Sequence, residues 1–490
     1  MKTGLLAGVS CLLLLGACAT TTTDAPVAET SATSQTAAPA KKKEETGLSN
    51  IQKVVTEDGV SAWLVSEHSI PIVALEMAWK SGEVNDPAGK EGASQLMVYM
   101  MNEGAGDLDS KAYATRMEEL NMTFGCSTGK DWTSCSMYTL SENFEDAMDM
   151  VRLGLSETRF DEAPFARAVE ETQIAVKRSE TQLGTIAARA LMEELYPEAH
   201  PYTRYETADS VNAVTIEDAI ARRDAIMTKD KMVVTAVGDI TPEQLKAVME
   251  DTFSVLPETG ETTDVADVMF KPALEKPILK ELEQPQTLVV FSAPGLMRDD
   301  PDFFAAYVTN YILGGGGFSA RLMDEIREKQ GLTYGIYTSL STMEHLGSWA
   351  GSAQTMNEKA GELIARTKVE LYKMATEGPT QKELDDAKAY ITGAYPLSFD
   401  TNTKIASQMM GIRQFDLGMD YIATRNDKIN DVTLEDVKRV AASYLKPENF
   451  TFVTVGQPVG MSQIDGMVEA YLAGEDYEPV PLDSNENEID

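Results

Sequence analysis

The sequence predicts an α+β protein made of two related halves, each a largely antiparallel sheet with helices packed on one face. Three observations support this prediction. The segment that begins at Val214 recurs at Val432, and the same spacing of 218 residues places Gly238 onto Gly456. Strand-like segments open each half, and helix-like segments follow them. About 440 residues remain after the N-terminal segment, which is more than one hydrophobic core usually serves.

The N-terminus has the layout of a secretory signal, predicted over residues 1–17. Lys2 precedes an apolar run from Leu5 to Leu15, which is too short to span a bilayer. A Gly-Ala pair then precedes Cys18, and this order resembles the bacterial lipobox, which implies acylation of that cysteine. The next residue, Ala19, is not Asp, which favours the outer membrane. We therefore expect a lipid-anchored protein on the periplasmic face of the outer membrane.

Two terminal segments are predicted to be disordered. Residues 18–48 consist mainly of Thr, Ala, Ser, Pro and Lys, and form a tether with a span of about 30 Å. Residues 474–490 form an acidic tail. The formal charge of -36 excludes nucleic acid and anionic lipid headgroups as partners, because both would be repelled. Contact with the membrane is therefore expected only through the lipid anchor.

Between these termini we predict an N-terminal domain over residues 49–263, a linker over 264–277 and a C-terminal domain over 278–473. The repeated segment has the same design in both domains. Thr215 and Thr433 each cap an amphipathic helix with acidic residues in its first turn, and an apolar strand ending in Val-Gly follows.

Cysteine use agrees with an oxidising compartment. Cys11 leaves with the signal and Cys18 carries the lipid, so Cys126 and Cys135 remain. They flank a Gly-Lys-Asp turn between two short strands. We predict a disulfide across this hairpin, with two free thiols as the alternative.

The first domain contains a degenerate metal motif. A strand ending in Ala-Trp-Lys-Ser-Gly and a helix that follows Gly92 resemble the insulinase-type (pitrilysin-like) metallopeptidases, in particular the processing-peptidase-like subfamily. That family implies two clam-shell halves, a helix with His-x-x-Glu-His that binds zinc and polarises water, and a distal Glu on a later helix. The matching positions are Gln95, Val98, Tyr99 and Ala175. We therefore expect this chain to bind no zinc and no other cofactor.

Histidine content supports the same expectation. The chain has three histidines, His68, His200 and His345, and no two are close in sequence. A His-x-x-Glu-His helix is therefore impossible. One alternative remains open, in which the acidic pair Glu170-Glu171 forms a different metal site with His68 or His200.

The second domain contains the best match to the family, GGGGFSARLMDEIREKQGLTYGIYTS from Gly314 onward. It resembles the stretch whose Arg and Tyr, seven residues apart, hydrogen-bond the bound peptide. These residues map onto Arg327, on a helix predicted over 321–329, and Tyr334, which is predicted to begin the next strand. A guanidinium and a phenol can both donate hydrogen bonds to a substrate carbonyl or its oxyanion.

Purely structural roles for these residues are the alternative. Arg327 could pair with Asp324 or Glu328, and Tyr334 could belong to the core. The glycine run consists of Gly314, Gly315, Gly316 and Gly317. It is either a peptide-contacting loop, as in the non-catalytic processing-peptidase subunit, or a bare turn; it does not fit a phosphate loop, because no Lys-Ser/Thr pair follows.

The resemblance implies a non-catalytic, substrate-binding subunit that handles unfolded peptides together with a homologous partner. The partner would carry the intact His-x-x-Glu-His motif and the zinc, so this chain alone would be inactive. The alternative from another class is a structural or peptide-binding envelope lipoprotein without a peptidase role. An autonomous zinc peptidase is the third hypothesis.

Overall fold

The computed structural model describes residues 50–261 and 264–477. The predicted signal, Cys18 and the tether to residue 48 lie outside these ranges, as do the last residues of the acidic tail. Within the described residues, no helix is long and apolar enough to cross a membrane. The first half contains strands β1 Gln52–Val55, β2 Ser61–Ser66, β3 Ile72–Trp79, β4 Gly104–Ala105, β5 Leu108–Asp109, β6 Thr123–Thr128, β7 Thr133–Leu140 and β8 Met232–Gly238. Its helices are α1 Ala93–Met100, α2 Ser110–Glu119, α3 Phe144–Ser156, α4 Glu162–Ser179, α5 Leu183–Leu195, α6 Ala208–Ala213, α7 Ile216–Ile226 and α8 Pro242–Phe253.

The second half follows a connection, residues 264–277, that has no helix or strand. Its strands are β9 Ile278–Glu281, β10 Gln286–Pro294, β11 Ile336–Thr342, β12 Gly347–Met356 and β13 Thr451–Gly456. Its helices are α9 Phe303–Asn310, α10 Ala360–Thr376, α11 Gln381–Ala394, α12 Asn402–Gln414, α13 Tyr421–Asp431, α14 Leu434–Tyr444 and α15 Ile464–Ala473. Two π-helical segments also occur, Tyr311–Gly315 and Met323–Glu328.

The two main sheets have the same topology. The first has the order β1-β2-β8-β3-β7-β6, and the second, written in the equivalent direction, has the order β9-β13-β10-β12-β11. In each sheet the β2–β8 or β9–β13 pair is parallel, and the other pairs are antiparallel. Strand β1 is the one addition to the shared pattern. The predicted fold class, two related α+β halves with largely antiparallel sheets, is confirmed.

The repeated Val-Gly ending has a steric cause. Gly238 and Gly456 end β8 and β13 with φ of +144° and +147°. A Cβ at Gly238 would lie 2.0 Å from the carbonyl oxygen of Ile72, and a Cβ at Gly456 would lie 2.7 Å from Thr287 Oγ1. Only glycine fits this close approach to the neighbouring strand.

The helices of each half cover one face of its own sheet, as predicted. In the first half, α1 and α3 contribute Leu96, Met97 and Val151 to a buried cluster with the apolar residues of β3 and β7. In the second half, α10 and α14 contribute Leu363 and Val440 to the equivalent cluster. Each sheet therefore has its own hydrophobic core.

The opposite face of each sheet is covered by a helix from the other half, an exchange that the sequence did not indicate. Helix α12 places Ala406, Met409 and Ile412 against the first sheet, where the apolar partners are Trp63, Val65, Ala74 and Val237. Helix α5 packs Ala187, Ala190, Leu191 and Leu195 against Val453 and Val455 of the second sheet.

Candidate functional site

Helix α1 presents the degenerate motif. It is preceded by its N-cap residue Gly92, which has a left-handed φ of 110° that favours glycine. Gln95 and Tyr99 lie one turn apart and are both partly exposed, whereas Val98 is buried in the core at 2% exposure. The spacing of a His-x-x-Glu-His helix is therefore preserved, but its chemistry is not.

A phenol–carboxylate pair occupies the place between α1 and α4. Tyr99 Oη donates a hydrogen bond of 2.7 Å to Glu171 Oε2. Burial, together with this hydrogen bond, raises the pKa of Tyr99. Glu171 lies one turn before Ala175, which is exposed. The carboxylate on α4 that meets α1 is therefore Glu171, which the sequence indicates only as a member of the alternative metal site.

These side chains do not fit a zinc ion, because no imidazole or thiolate is present among them. Within residues 50–261 and 264–477, no group of three His, Cys, Asp or Glu side chains could hold a metal. His68 Nδ1 lies 2.7 Å from Asp239 Oδ1, and His200 Nε2 lies 2.8 Å from the carbonyl oxygen of Ala266. The alternative site formed by Glu170-Glu171 with a histidine is therefore not formed in this part of the chain.

Arg327 lies on a helix that runs from Arg321 to Glu328, close to the helix predicted over 321–329. From Met323 onward its hydrogen bonds are π-helical rather than α-helical. The Arg327 guanidinium is ion-paired with Glu328 and lies 4.7 Å from the centroid of the Phe318 ring. Asp324 instead pairs with Lys329, at 3.0 Å. Short π segments are frequent at functional sites.

Tyr334 is among the most exposed large hydrophobic or aromatic side chains, with 89% of its surface exposed. It lies two residues before β11, so the prediction that it begins the strand is wrong by two positions. The cause is Thr333, whose hydroxyl accepts a hydrogen bond from the Gly335 N–H and lies within hydrogen-bond distance of the Gly335 carbonyl, which holds the intervening Tyr334 in a bend. The alternative that Tyr334 belongs to the core is also wrong.

The glycine run has a different role at each position. A Cβ at Gly314 would lie 2.5 Å from Thr338 Oγ1, and a Cβ at Gly315 would lie 2.7 Å from Asn310 Nδ2. A Cβ at Gly316 would meet the Tyr311 carbonyl oxygen at 2.7 Å, whereas Gly317 has open space and a φ of +61°. Three glycines therefore permit close packing and the fourth permits a turn.

This loop leads to an exposed aromatic surface. Phe318 is 71% exposed directly after the glycines, and Tyr337 on β11 is 38% exposed. Strand β11 is the edge of the second sheet, so its outer backbone groups are free of strand pairing. Phe318 contacts Arg327, but the structure forms no hydrogen bond or cation–π contact between Arg327 and Tyr334 within the described residues.

The hairpin of edge strand β6 and its neighbour β7 in the first sheet carries the two cysteines. Cys126 on β6 lies directly opposite Cys135 on β7, and a disulfide joins them. It closes the hairpin around the Gly-Lys-Asp turn.

Comparison with known proteins identifies the family. A family model described as insulinase (peptidase family M16) matches residues 62–205, and one described as the peptidase M16 inactive domain matches residues 213–391. The chain belongs to the M16 family. The M16 fold accounts for the repeated sheet, and the inactive-domain match covers the stretch with Arg327 and Tyr334.

Relatives of this M16 chain include a non-peptidase homologue. The chain is 23% identical over 394 residues to the non-peptidase homolog YmxG of Helicobacter pylori, covering 79% of this chain and 90% of that one. A crystal structure of a peptidase M16 inactive domain from Pseudomonas fluorescens matches with a TM-score of 0.78 at 27% identity, covering 84% and 99% of the two chains. The periplasmic protease PqqL from Escherichia coli shares the fold, with a TM-score of 0.72 at 15% identity over 84% of this chain and 45% of that one. The chain is thus similar over most of its length to M16 proteins that include a non-peptidase homologue and an M16 inactive domain.

Proposed function

We propose that this chain is the non-catalytic, peptide-binding subunit of a two-chain zinc metallopeptidase in the bacterial periplasm. The observation that carries the proposal is the contrast between its halves. The first half has Gln95, Val98 and Tyr99 at the positions of the zinc motif, and Tyr99 is hydrogen-bonded to Glu171. The second half keeps Arg327, which lies 4.7 Å from the Phe318 ring, and Tyr334, which is 89% exposed.

The surface chemistry suits an extended, unfolded peptide. Arg327 and Tyr334 can donate hydrogen bonds to peptide carbonyls, and Phe318 and Tyr337 can pack on apolar side chains. Strand β11 is an edge strand in this part of the chain, to which an extended peptide could add, although the Thr338 carbonyl already accepts a hydrogen bond from Asn310 Nδ2. A homologous partner with His-x-x-Glu-His would supply the zinc and the attacking water, and this chain would orient the peptide. A lipid on Cys18 would hold the pair at the outer membrane.

The proposal is tested by isolating the tagged protein from native membranes in mild detergent and assaying peptide cleavage with and without chelator. We expect a His-x-x-Glu-His homologue to co-purify, with cleavage that chelator abolishes. Recovery without such a partner and without cleavage would contradict the proposal.

The role of Arg327 is tested in the assembled complex. Arg327→Ala should reduce the cleavage rate by about tenfold or more, because a lost charged hydrogen bond costs roughly 1.5–3 kcal/mol. Arg116→Ala is the matched control, since Arg116 is also a helical arginine that pairs with surface acids. Equal rates for the two variants would exclude a substrate contact by Arg327.

A second candidate is a peptide-binding or structural envelope protein without proteolysis. The name of the Helicobacter pylori relative, a non-peptidase homolog, favours it. Peptide binding that depends on Tyr334, found in a preparation with no zinc-bearing partner, would support this candidate.

A further inference from the structure

The second half contains a cavity that the proposed peptide surface does not use. Its volume is about 340 Å³, within the range of small-molecule sites. It lies between α9 with its π-helical extension, α11, α12 and α13. Five phenols and one guanidinium dominate its lining: Tyr307, Tyr311, Tyr390, Tyr395, Tyr421 and Arg425.

The cavity occupies the place that corresponds to the degenerate zinc site of the first half. Along residues 93–101, which cover α1 and the residue after it, only Gln95 and Tyr99 are partly exposed, and all others are buried. Residues 305–313 repeat this pattern, with Tyr307 and Tyr311 as the two partly exposed positions. The π-helical extension of α9 therefore aligns Tyr307 with Gln95 and Tyr311 with Tyr99.

The partner helices align in the same way. The N-cap of α4 is Asp161 and that of α11 is Thr380, so Glu171 and Tyr390 hold equivalent positions. In the first half, Tyr99 contacts Glu171 directly. In the second half, the rings of Tyr311 and Tyr390 lie 5.4 Å apart. At equivalent places, the first half therefore has a closed phenol–carboxylate pair, and the second half has an open cavity lined by phenols.

Positive charge collects around this cavity without a matching carboxylate. Arg425 is 8% exposed, and its guanidinium lies 4.1 Å from the Tyr395 ring centroid. Arg298 donates a 2.6 Å hydrogen bond to Tyr421, and Lys428 lies 5.8 Å from the same ring. None of these three cations has an ion-pair partner among residues 50–261 and 264–477, although the whole chain has 78 acidic and 42 basic residues. Arg425 is the buried member of the three, and its guanidinium donates a hydrogen bond of 3.1 Å to Asn426 Oδ1, which is a neutral amide oxygen. Buried charges are normally paired, so the charge of Arg425 lacks a counter-charge in this part of the chain.

We propose that this cavity binds a carboxylate that is attached to an aromatic or similarly flat apolar group. The guanidinium of Arg425 supplies paired donors for carboxylate oxygens, and phenol hydroxyls supply further donors. The tyrosine rings supply flat apolar walls. A free aromatic acid and the C-terminal residue of a peptide share this chemistry.

The glycine loop contacts one wall of the cavity, so a ligand bound there would lie next to this loop. A Cβ at Gly316 would lie 3.0 Å from Tyr311 Cε1, so the loop that carries Phe318 rests against one wall of the cavity. Neither Arg327 nor Tyr334 lines it. The proposal therefore stands apart from the peptidase-partner role, and either can fail alone.

Calorimetric titration of the purified full chain tests the site. We expect N-acetylphenylalanine to bind at least about tenfold more tightly than its amide, because the amide lacks the charge that pairs with the guanidinium. Short peptides ending in phenylalanine, with free or amidated C-termini, form the second arm. If the free carboxylate binds more tightly than the amide in both arms, the ligand is the C-terminal residue of a peptide. If only N-acetylphenylalanine binds more tightly than its amide, the ligand is a small molecule. Equal affinity for acids and amides in both arms would overturn the proposal.

Two variants and a control locate the binding. Arg425→Gln should weaken binding of the acid by about tenfold or more. Ala394→Phe should fill the cavity without removing a charge. This second variant tests the site even if Arg425→Gln fails to fold. Arg366→Gln is the control, because it removes an arginine stacked at 4.1 Å on Tyr471 in another part of the domain. Unchanged binding in folded Ala394→Phe protein would place the ligand elsewhere and contradict the assignment.

Discussion

At the scale of single residues, Glu206 is an acid placed among other acids near the start of α1. Its side chain faces Gly92, where a Cβ would lie 3.6 Å from Glu206 Cγ. Burial, with added repulsion from Glu83 and Asp86, raises the pKa of Glu206 to about 7, against the opposing effect of Lys130. The degenerate motif helix therefore begins beside a group that titrates near neutral pH.

This environment predicts a pH-dependent stability. The pKa of a glutamate side chain is ordinarily 4.5, whereas the pKa of Glu206 in the folded chain is about 7. Between these values the folded chain keeps a proton that the unfolded chain has released, so stability falls as pH rises through this window, by up to about 3 kcal/mol. Glu206→Gln should remove that slope in urea unfolding between pH 5 and 8.

Glu142→Gln, at an exposed acid, is the control and should keep the slope. Identical pH profiles for the wild type and Glu206→Gln would show that Glu206 ionises normally in the fold.

Replacing glycine by alanine is expected to change the stability of the protein in opposite directions at two positions. Gly314→Ala should destabilise the protein by about 1–3 kcal/mol, because the added methyl meets Thr338 Oγ1 and the Thr338 backbone nitrogen at 2.5 and 2.8 Å. Gly411→Ala, inside α12 with no atom within 4 Å, should stabilise it by up to about 1 kcal/mol. Urea unfolding midpoints of the two variants measure both effects; a stable Gly314→Ala protein would mean that the turn against β11 is loosely packed.

At the scale of elements, the β6–β7 hairpin combines an edge strand with a disulfide. The Cys126–Cys135 bond closes a short loop, with a sequence separation of 9. Replacing both cysteines by serine should cost about 2–3 kcal/mol through the chain entropy of the unfolded state. Unfolding of the wild type with reductant should match that of the double variant, whereas unfolding without reductant should not. Equal midpoints in all three samples would show that the hairpin holds without its cross-link.

The sequence predicted the elements best where side-chain chemistry is local. The N-caps at Thr215 and Thr433 and the Val-Gly strand ends followed directly from residue types, and the structure completes each N-cap as a capping box. The π-helical turns did not, because π-helices are rare single-turn insertions in α-helices and no residue type in these segments marks the change in hydrogen bonding. The bend at Tyr334 was missed because it depends on the hydroxyl of Thr333.

Of the two candidate sites, one could be recognised from the sequence and the other only from the structure. The loss of zinc ligands at Gln95, Val98 and Tyr99 was visible in the sequence, since it needed only residue identities. The tyrosine cavity was not visible in the sequence, because its lining residues come from four helices. Their correspondence with the degenerate zinc site appears only when the two folded halves are aligned. An internal repeat reveals such positions once both copies are folded.

At the scale of the whole molecule, the two halves are joined by exchanged helices. Arg413 of α12 donates hydrogen bonds of 2.8 Å to the Ser61 carbonyl and 2.6 Å to the Val234 carbonyl in the first sheet. Burial lowers the pKa of Arg413 to about 10. Thr235 Oγ1 of β8 donates to the Ala406 carbonyl, at 2.9 Å. Periodicity shows that α12 has an apolar face, but the sheet that covers this face is decided by tertiary packing.

The exchange predicts that neither half folds alone. Residues 49–263 expressed separately would expose Trp63, Val65 and Val237, and residues 264–473 would expose Val453 and Val455, because the covering helix lies in the missing piece. Each half should bind a hydrophobic dye and elute as aggregate in size-exclusion chromatography, whereas co-expressed halves should elute together as one folded species. A half that is monomeric and unfolds cooperatively would show that the exchanged helices are accessory rather than part of the core.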